Sequence, residues 1–250
     1  MNGWKGVLFD KDGTLIDFHN TWVPATVSTA YATAHLALPE AEQAARDDLA
    51  RRLVGTIGYD LETKTLDPES LLARGSLGEI AALWVEHAGM QGMQDAIERI
   101  GGEFRVHAVG SAAPLVPLGP LFERLRGAGL KLGVATMDTT LSAQQTFANL
   151  AIDHLLDFVT GFDGGHGEKP GPGMVHGFCA AMGLHPAEVV VVGDSMHDLS
   201  MAKAAGAGLA VAVLSGVAGH EHLHEAADHV IQGIGELEAL LARVGARAIA

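Results

Sequence analysis

Two carboxylates one residue apart follow a short apolar run near the start of the chain. The run 6–9, Gly-Val-Leu-Phe, is typical of a buried parallel strand, and Asp10 and Asp12 come directly after it. In an open α/β sheet, chemistry takes place just beyond the carboxyl ends of the strands. Two carboxylates this close repel each other unless a cation or a shared proton lies between them. The alternative interpretation is an ordinary Asp-Gly turn after an N-terminal strand.

Later segments carry polar side chains in a similar position, at the end of a strand-like run or in a Gly/Pro loop. They are Thr136 after the run 131–135, Lys169 in the loop 168–173, and Asp194 and Asp198 after the run 188–193. Because the carboxyl ends of parallel strands share one sheet edge, these side chains would converge with the first two aspartates. Only a divalent cation makes so many carboxylates tolerable together. Ligands that are all oxygen favour Mg²⁺, so we expect a magnesium site at this edge.

The order of these motifs resembles that of a known family. A DxDGT segment, a strand ending in Thr, a Lys-Pro pair and a GDxxxD segment follow one another from Asp10 to Asp198. This order is similar to that of the haloacid dehalogenase superfamily of phosphohydrolases, and within it to the phosphoglycolate-phosphatase-like group with a helical cap. The resemblance implies an α/β fold, in which residues 1–18 and 113–250 form a doubly wound, Rossmann-like parallel-sheet core. Residues 19–112 would form an inserted all-helical cap.

The resemblance also implies the covalent chemistry. Asp10 would be the nucleophile that forms an aspartyl phosphate, and Asp12 the general acid for the leaving alcohol and then the base for water. Thr136 would donate its hydroxyl to a phosphate oxygen, and Lys169 would pair with the phosphoryl group and with the nucleophile. The family often has Asn after the Thr, whereas this chain has Met137, so only the backbone N–H is expected to bind phosphate there.

The metal would be held by the aspartates of the first and last motifs. By resemblance these are Asp10, the backbone carbonyl of Asp12, Asp194 and Asp198, with Asp194 the best candidate for direct coordination. Asp198 is either a second ligand, a water-mediated ligand or the partner of Lys169, and it could also simply complement the N-terminus of a helix. The sequence leaves these roles open.

The insertion offers candidate substrate contacts. His19 and Trp22 follow the catalytic loop closely, and Arg74 and Ser76 lie in a turn that contains Gly75. Loops on rigid scaffolds often carry recognition, so these four residues are predicted to meet the substrate. The periodicity predicts four helices in the insertion, over about 22–38, 40–54, 77–88 and 93–107. The first is expected to be capped by Asn20 or Thr21, with Pro24 in its first turn.

Composition narrows the setting and the partners. The chain has 250 residues, of which 48% are hydrophobic, and a net charge of −14. This charge argues against a nucleic acid or an anionic membrane as partner, and no run of 18 apolar residues or signal-peptide pattern is visible. The single cysteine, Cys179, cannot form an intrachain disulfide, which suits a reducing cytoplasm. The oligomeric state is not predicted.

The most consistent hypothesis is a Mg²⁺-dependent phosphatase of a small phosphorylated metabolite, with phosphoglycolate as the leading substrate by resemblance. A β-phosphoglucomutase-like phosphomutase uses the same pair of aspartates and differs in its product. A receiver-type domain also has a phospho-accepting Asp, but after its third strand, and it has no place for the insertion. A phosphate-binding pseudoenzyme is disfavoured by the complete set of acid, nucleophile and lysine.

Two further patterns have weaker support. The segment 220–224, His-Glu-His-Leu-His, matches the HExxH zinc pattern, but it has no evident third ligand. The segment 161–167 is rich in glycine without GxGxxG spacing, so it is interpreted as the loop that brings Lys169 to the strand ends.

Overall fold

The computed structural model describes residues 3–67, 70–216 and 220–247 of the chain. The chain divides into two compact units. The first is Met1–Phe18 together with Ala113–Ala250, and the second is His19–Ala112. The second unit is therefore an insertion into the first.

The described residues form eight strands. In chain order they are β1 (Gly6–Phe9), β2 (Tyr59–Asp60), β3 (Thr65–Leu66), β4 (Lys131–Ala135), β5 (Phe158–Thr160), β6 (Val189–Gly193), β7 (Leu209–Val213) and β8 (His229–Ile231). Six of them form one sheet in the order β5-β4-β1-β6-β7-β8, and every neighbouring pair is parallel. The predicted doubly wound parallel sheet is thereby confirmed.

The described part of the chain also contains eleven α-helices. They are α1 (Phe18–Ala37), α2 (Gln43–Thr56), α3 (Leu71–Arg74), α4 (Leu77–His87), α5 (Ala96–Ser111), α6 (Leu118–Gly127), α7 (Thr140–Asn149), α8 (Gly173–Met182), α9 (Met196–Ala205), α10 (His220–Ala226) and α11 (Leu237–Arg247). None of the described helices combines the length and the apolar character needed to cross a membrane.

The sheet of the first unit is buried on both faces, which explains its continuous apolar runs. Phe9 of β1 stacks on Phe122 of α6, with ring centroids 5.6 Å apart. Leu8 belongs to the cluster on the other face, together with Phe178 of α8. A Cβ atom on Gly133 of β4 would lie 2.8 Å from the Phe178 ring, so glycine at this position lets the helix approach the sheet.

The strand order brings the ends of three strands together. β1 lies between β4 and β6, with Phe9 opposite Val134 on one side and Val192 on the other. The residues that follow these strands therefore emerge at one edge, next to one another. Parallel pairing of β1, β4 and β6 has this consequence, because the carboxyl ends of parallel strands lie at the same edge of a sheet.

The described residues of the second unit form helices and one short hairpin. Trp84 of α4 is fully buried, packs on Phe104 of α5 at 5.0 Å between ring centroids, and donates its indole N–H to Leu53 O at 2.9 Å. The insertion was expected to be entirely helical, but β2 and β3 pair as an antiparallel hairpin. The carboxylate of Asp60 accepts the backbone N–H groups of residues 62 and 63, and this Asx turn closes the hairpin.

Two glycines end helices of the first unit. Gly183 and Gly206 end α8 and α9 in the left-handed conformation, with φ of 68° and 69°. The start of α1 was predicted wrongly. The helix begins at Phe18, so Asn20 and Thr21 lie inside it rather than at its cap, and Pro24 lies beyond its first turn.

Candidate active site

The residues of the four motifs meet at the carboxyl edge of the sheet in the first unit. Asp10 directly follows β1, Thr136 follows β4, and Asp194 follows β6. Asp198 lies in the first turn of α9. The structure therefore brings these residues to the same edge of the sheet.

Three carboxylates form a tight cluster there. Oxygen atoms of Asp10, Asp194 and Asp198 all lie within 4.8 Å of one another. Burial raises the pKa of Asp10 to about 7, because the pull of Lys169 toward the ionised form only partly offsets it and Asp198 repels a further negative charge. Burial likewise raises the pKa of Asp194 well above its ordinary value, and the charges of Asp10 and Asp198 add to this effect.

Lys169 supplies positive charge to the cluster. Its Nζ lies 2.5 Å from Asp10 Oδ1 and 2.6 Å from Asp198 Oδ1, and the side chain is almost completely buried. Burial alone would lower the pKa of this lysine, but the two carboxylates more than compensate and raise it above its ordinary value. The lysine therefore stays protonated between the nucleophile candidate and the last motif.

Both carboxylate oxygens of Asp198 accept hydrogen bonds. While Oδ1 accepts from Lys169, Oδ2 accepts from Ser195 Oγ at 2.6 Å and from the Ser195 backbone N–H at 3.2 Å. Ser195 in turn caps α9, so the two residues form a capping box. A Cβ atom on Gly193 would collide with the Asp198 side chain, which explains the glycine at the end of β6.

The carboxylate cluster fits a hard divalent cation. Its donors are all carboxylate oxygens, and three carboxylates face one ammonium group. Two glycines also make room around Asp194. A Cβ atom on Gly13 would lie 2.5 Å from Asp194 Oδ2, and one on Gly216 would collide with the same oxygen.

Thr136 is oriented by the backbone that follows it. Its Oγ1 accepts the N–H of Asp138 at 3.1 Å, which leaves the hydroxyl hydrogen available to another acceptor. The side chain of Met137, between them, is 43% exposed. The departure from the family's Asn at this position therefore leaves an apolar side chain at the surface beside the site.

Sequence reasoning missed two buried charged residues beside the motifs. Lys11 Nζ lies 2.8 Å from Asp138 Oδ2 and 3.1 Å from Asp12 Oδ2. Burial alone would lower the pKa of Lys11, but Asp12 and Asp138 raise it above its ordinary value. The only local signal was a lysine placed between two aspartates, since the contact with Asp138 spans 127 positions.

The candidate substrate residues of the insertion all lie in the second unit. His19 is in the first turn of α1, with its ring 5.8 Å from that of Tyr59, and Trp22 is buried in the same helix. Ser76 caps α4, donating its hydroxyl to Glu79 at 2.9 Å. Arg74 ends α3, and its side chain lies outside the described residues. The predicted contacts of these four residues with substrate stay predictions.

The HExxH segment forms part of α10, as a zinc site of this kind would require. Leu223 is buried, whereas His222 and His224 are exposed. The side chains of His220 and Glu221 lie outside the described residues. Among the residues that the structure describes, the metal-capable group is that of the three aspartates.

Comparison with known proteins gives the family. A family model described as a haloacid dehalogenase-like hydrolase matches residues 4–206, so the chain belongs to this family of hydrolases. The chain is 31% identical to a protein described as "Probable phosphatase IndB" from Dickeya dadantii, over 90% of this chain and 87% of that protein. It is 28% identical to the phosphoglycolate phosphatase of Pasteurella multocida, over 82% and 84% of the two chains. The predicted resemblance to phosphoglycolate phosphatases is thus confirmed.

Solved structures support the fold. The β-phosphoglucomutase of Clostridium difficile superimposes with a TM-score of 0.62, over 99% of this chain and 100% of that chain, at 18% identity. At this identity the likeness concerns the fold alone, and the fold is shared by phosphatases and mutases.

Proposed function

We propose that this protein is a Mg²⁺-dependent phosphatase that hydrolyses a small phosphorylated metabolite through an aspartyl phosphate on Asp10. One observation carries the proposal: Asp10 lies at the end of the central strand β1, 2.5 Å from the ammonium of Lys169 and within 4.8 Å of two further carboxylates. A carboxylate nucleophile needs a cationic partner for the incoming phosphoryl group, and this one has it.

Each residue then has a defined role in the reaction. Asp10 attacks phosphorus and forms an acyl phosphate while the ester P–O bond breaks. Asp12 gives its proton to the departing alcohol oxygen and afterwards takes a proton from the water that hydrolyses the acyl phosphate. Lys169, the Thr136 hydroxyl and the Met137 backbone N–H bind the phosphoryl oxygens, and their fixed positions reduce the reorganisation needed in the transition state.

The same aspartates would hold the metal. Asp10, Asp194 and the backbone carbonyl of Asp12 would be ligands. Asp198 would add negative charge to the metal site while its two oxygens accept from Lys169 and Ser195. When bound, Mg²⁺ supplies positive charge that offsets the charge on the phosphoryl oxygens. The reaction otherwise relies on the chain's own groups.

For the substrate we propose phosphoglycolate first, because relatives of similar length bear the name phosphoglycolate phosphatase. The second unit is proposed as a helical cap that excludes water from the reaction. His19, Trp22, Arg74 and Ser76 are its proposed substrate contacts. We place the protein in the cytoplasm, since its single cysteine fits a reducing compartment.

The test is the release of inorganic phosphate from a panel of small phosphate esters, with and without Mg²⁺. We expect release that needs the metal, is lost in the presence of a chelator and returns when Mg²⁺ is restored in excess. Sugar phosphates in the panel are analysed for isomers as well as for free phosphate. Isomerised sugar phosphate without phosphate release would identify a mutase instead.

A further inference from the structure

We propose that Lys11 is a positioning residue for Asp12, and that Asp138 holds Lys11 in the place where it can do this. The inference rests on the proposed function, in which Asp12 is the general acid and base. It adds an ion pair, Lys11–Asp138, that links the DxDGT segment to the segment after Thr136.

The contacts form a short chain of charges. Asp138 Oδ2 lies 2.8 Å from Lys11 Nζ, and the same nitrogen lies 3.1 Å from Asp12 Oδ2. The side chains of Lys11 and Asp138 are 3% and 2% exposed, whereas that of Asp12 is 17% exposed. Asp12 is therefore the member of this group that a substrate can reach.

Asp138, at one end of this series of charges, is held by further hydrogen bonds. The carboxylate of Asp138 accepts Ser142 Oγ at 2.7 Å and the Thr139 N–H at 2.7 Å, in addition to the lysine. At the near end, the backbone N–H groups of Leu15 and Ile16 both donate to the Lys11 carbonyl at 2.9 Å. The ammonium thus has a fixed position, and a fixed ammonium restricts the orientation of the carboxylate beside it.

A simpler role for Lys11 is to neutralise Asp138. A buried carboxylate without a partner is strongly destabilising, so this neutralisation by itself would explain the pair. It would not explain why the same ammonium also contacts the more exposed Asp12. The two roles make different predictions, because only positioning of Asp12 affects the transfer of a proton to the leaving group.

Leaving groups of different basicity separate these roles. An alkyl alcohol leaves as an unstable oxyanion unless an acid protonates it, whereas a nitrophenol leaves as a stable anion. In the 250-residue chain with Mg²⁺, we expect Lys11→Met to lower kcat/KM for an alkyl phosphate by about 10- to 100-fold, a part of the 10²–10⁴ that general acid catalysis provides. For a nitrophenyl phosphate we expect kcat/KM to change by less than about 3-fold. The comparison uses kcat/KM because it covers the steps up to release of the alcohol, whereas kcat also includes the hydrolysis of the aspartyl phosphate, in which Asp12 acts as the base for both esters.

Two variants complete the design. Lys5→Met removes a surface ion pair with Glu188, in which the lysine is 64% exposed, and should leave both activities unchanged. The double variant Lys11→Met/Asp138→Asn removes both charges of the buried pair and decides the question if the single variant does not fold. Selective loss of kcat/KM for the alkyl phosphate in the double variant supports positioning. Recovery of that kcat/KM, or an equal loss of kcat/KM for both esters, overturns it.

The same assay distinguishes a wrong phosphatase proposal from a wrong role for Lys11. If the phosphatase proposal is wrong, the unmodified protein is the one that fails. In that case the unmodified protein releases phosphate from neither ester, with or without Mg²⁺. If the unmodified protein turns over both esters and the variants show no selectivity, the phosphatase assignment stands and the role of Lys11 is wrong.

Discussion

The carboxylate of Asp10 lies where its own charge is unfavourable, beside other acids and away from water. We expect Asp10→Asn to lower phosphate release by about 10⁴-fold or more, because loss of a nucleophile removes the covalent route altogether. The amide is nearly isosteric, so the fold should survive. Turnover is measured with saturating Mg²⁺ beside Asp153→Asn, which changes an exposed aspartate and should behave like the unmodified protein. Near-normal turnover in Asp10→Asn would show that no aspartyl phosphate forms there.

The raised pKa of Asp10 also predicts how stability depends on pH. The pKa is about 7 in the folded protein and about 3.8 as the ordinary value, so the folded state binds more protons between these pH values. Where the folded state binds more protons, the free energy of unfolding falls as pH rises. The protein without metal should therefore lose stability between pH 4 and pH 7, and Asp10→Asn should lose less.

Mg²⁺ should stabilise the folded protein more as pH rises, which opposes the loss of stability expected without the metal. Above pH 7 the ionised carboxylates attract the cation, whereas below it protons compete with the metal. Thermal unfolding at pH 5.5 and pH 8, each with and without Mg²⁺, measures the effect. We expect the metal to raise Tm more at pH 8 than at pH 5.5. A larger increase at pH 5.5 would contradict the assignment of these carboxylates as ligands.

At the scale of elements, the loop after β7 limits the space around the proposed metal ligand Asp194, because Gly216 in this loop lies against the Asp194 carboxylate. A Cβ atom on Gly216 would collide with the Asp194 carboxylate, so Gly216→Ala should displace this ligand. We expect the variant to lose most of the increase in Tm that Mg²⁺ gives, together with most of its phosphatase activity. Gly127→Ala is the control, since an added Cβ there meets no atom within 4 Å. If both variants keep the response to Mg²⁺, Asp194 is not a ligand.

Elements were predictable where local chemistry determines them. The strands of the parallel sheet are continuous apolar runs, and Gly183 and Gly206 end helices in a conformation that favours glycine. The hairpin of the insertion was missed because each strand has two residues, too few for a period to appear. The Lys11–Asp138 pair was missed for a different reason, since tertiary packing alone brings these residues together.

At the scale of the whole molecule, the net charge of −14 opposes the approach of an anionic substrate. The two lysines at the candidate site, Lys11 and Lys169, are buried in ion pairs with carboxylates and project little positive field. Salt screens charges that are separated by more than about 8 Å at physiological ionic strength. We therefore expect kcat/KM for a small anionic ester to rise as NaCl increases from about 10 to 150 mM at constant Mg²⁺.

The size of this effect should follow the charge of the substrate. Phosphoglycolate carries a carboxylate besides its phosphate, so its kcat/KM should rise more steeply with salt than that of a nitrophenyl phosphate. Since screening acts on encounter and not on the bound complex, kcat itself should stay nearly constant. A fall in kcat/KM with salt would contradict this expectation, because it would mean that positive charge guides the substrate in.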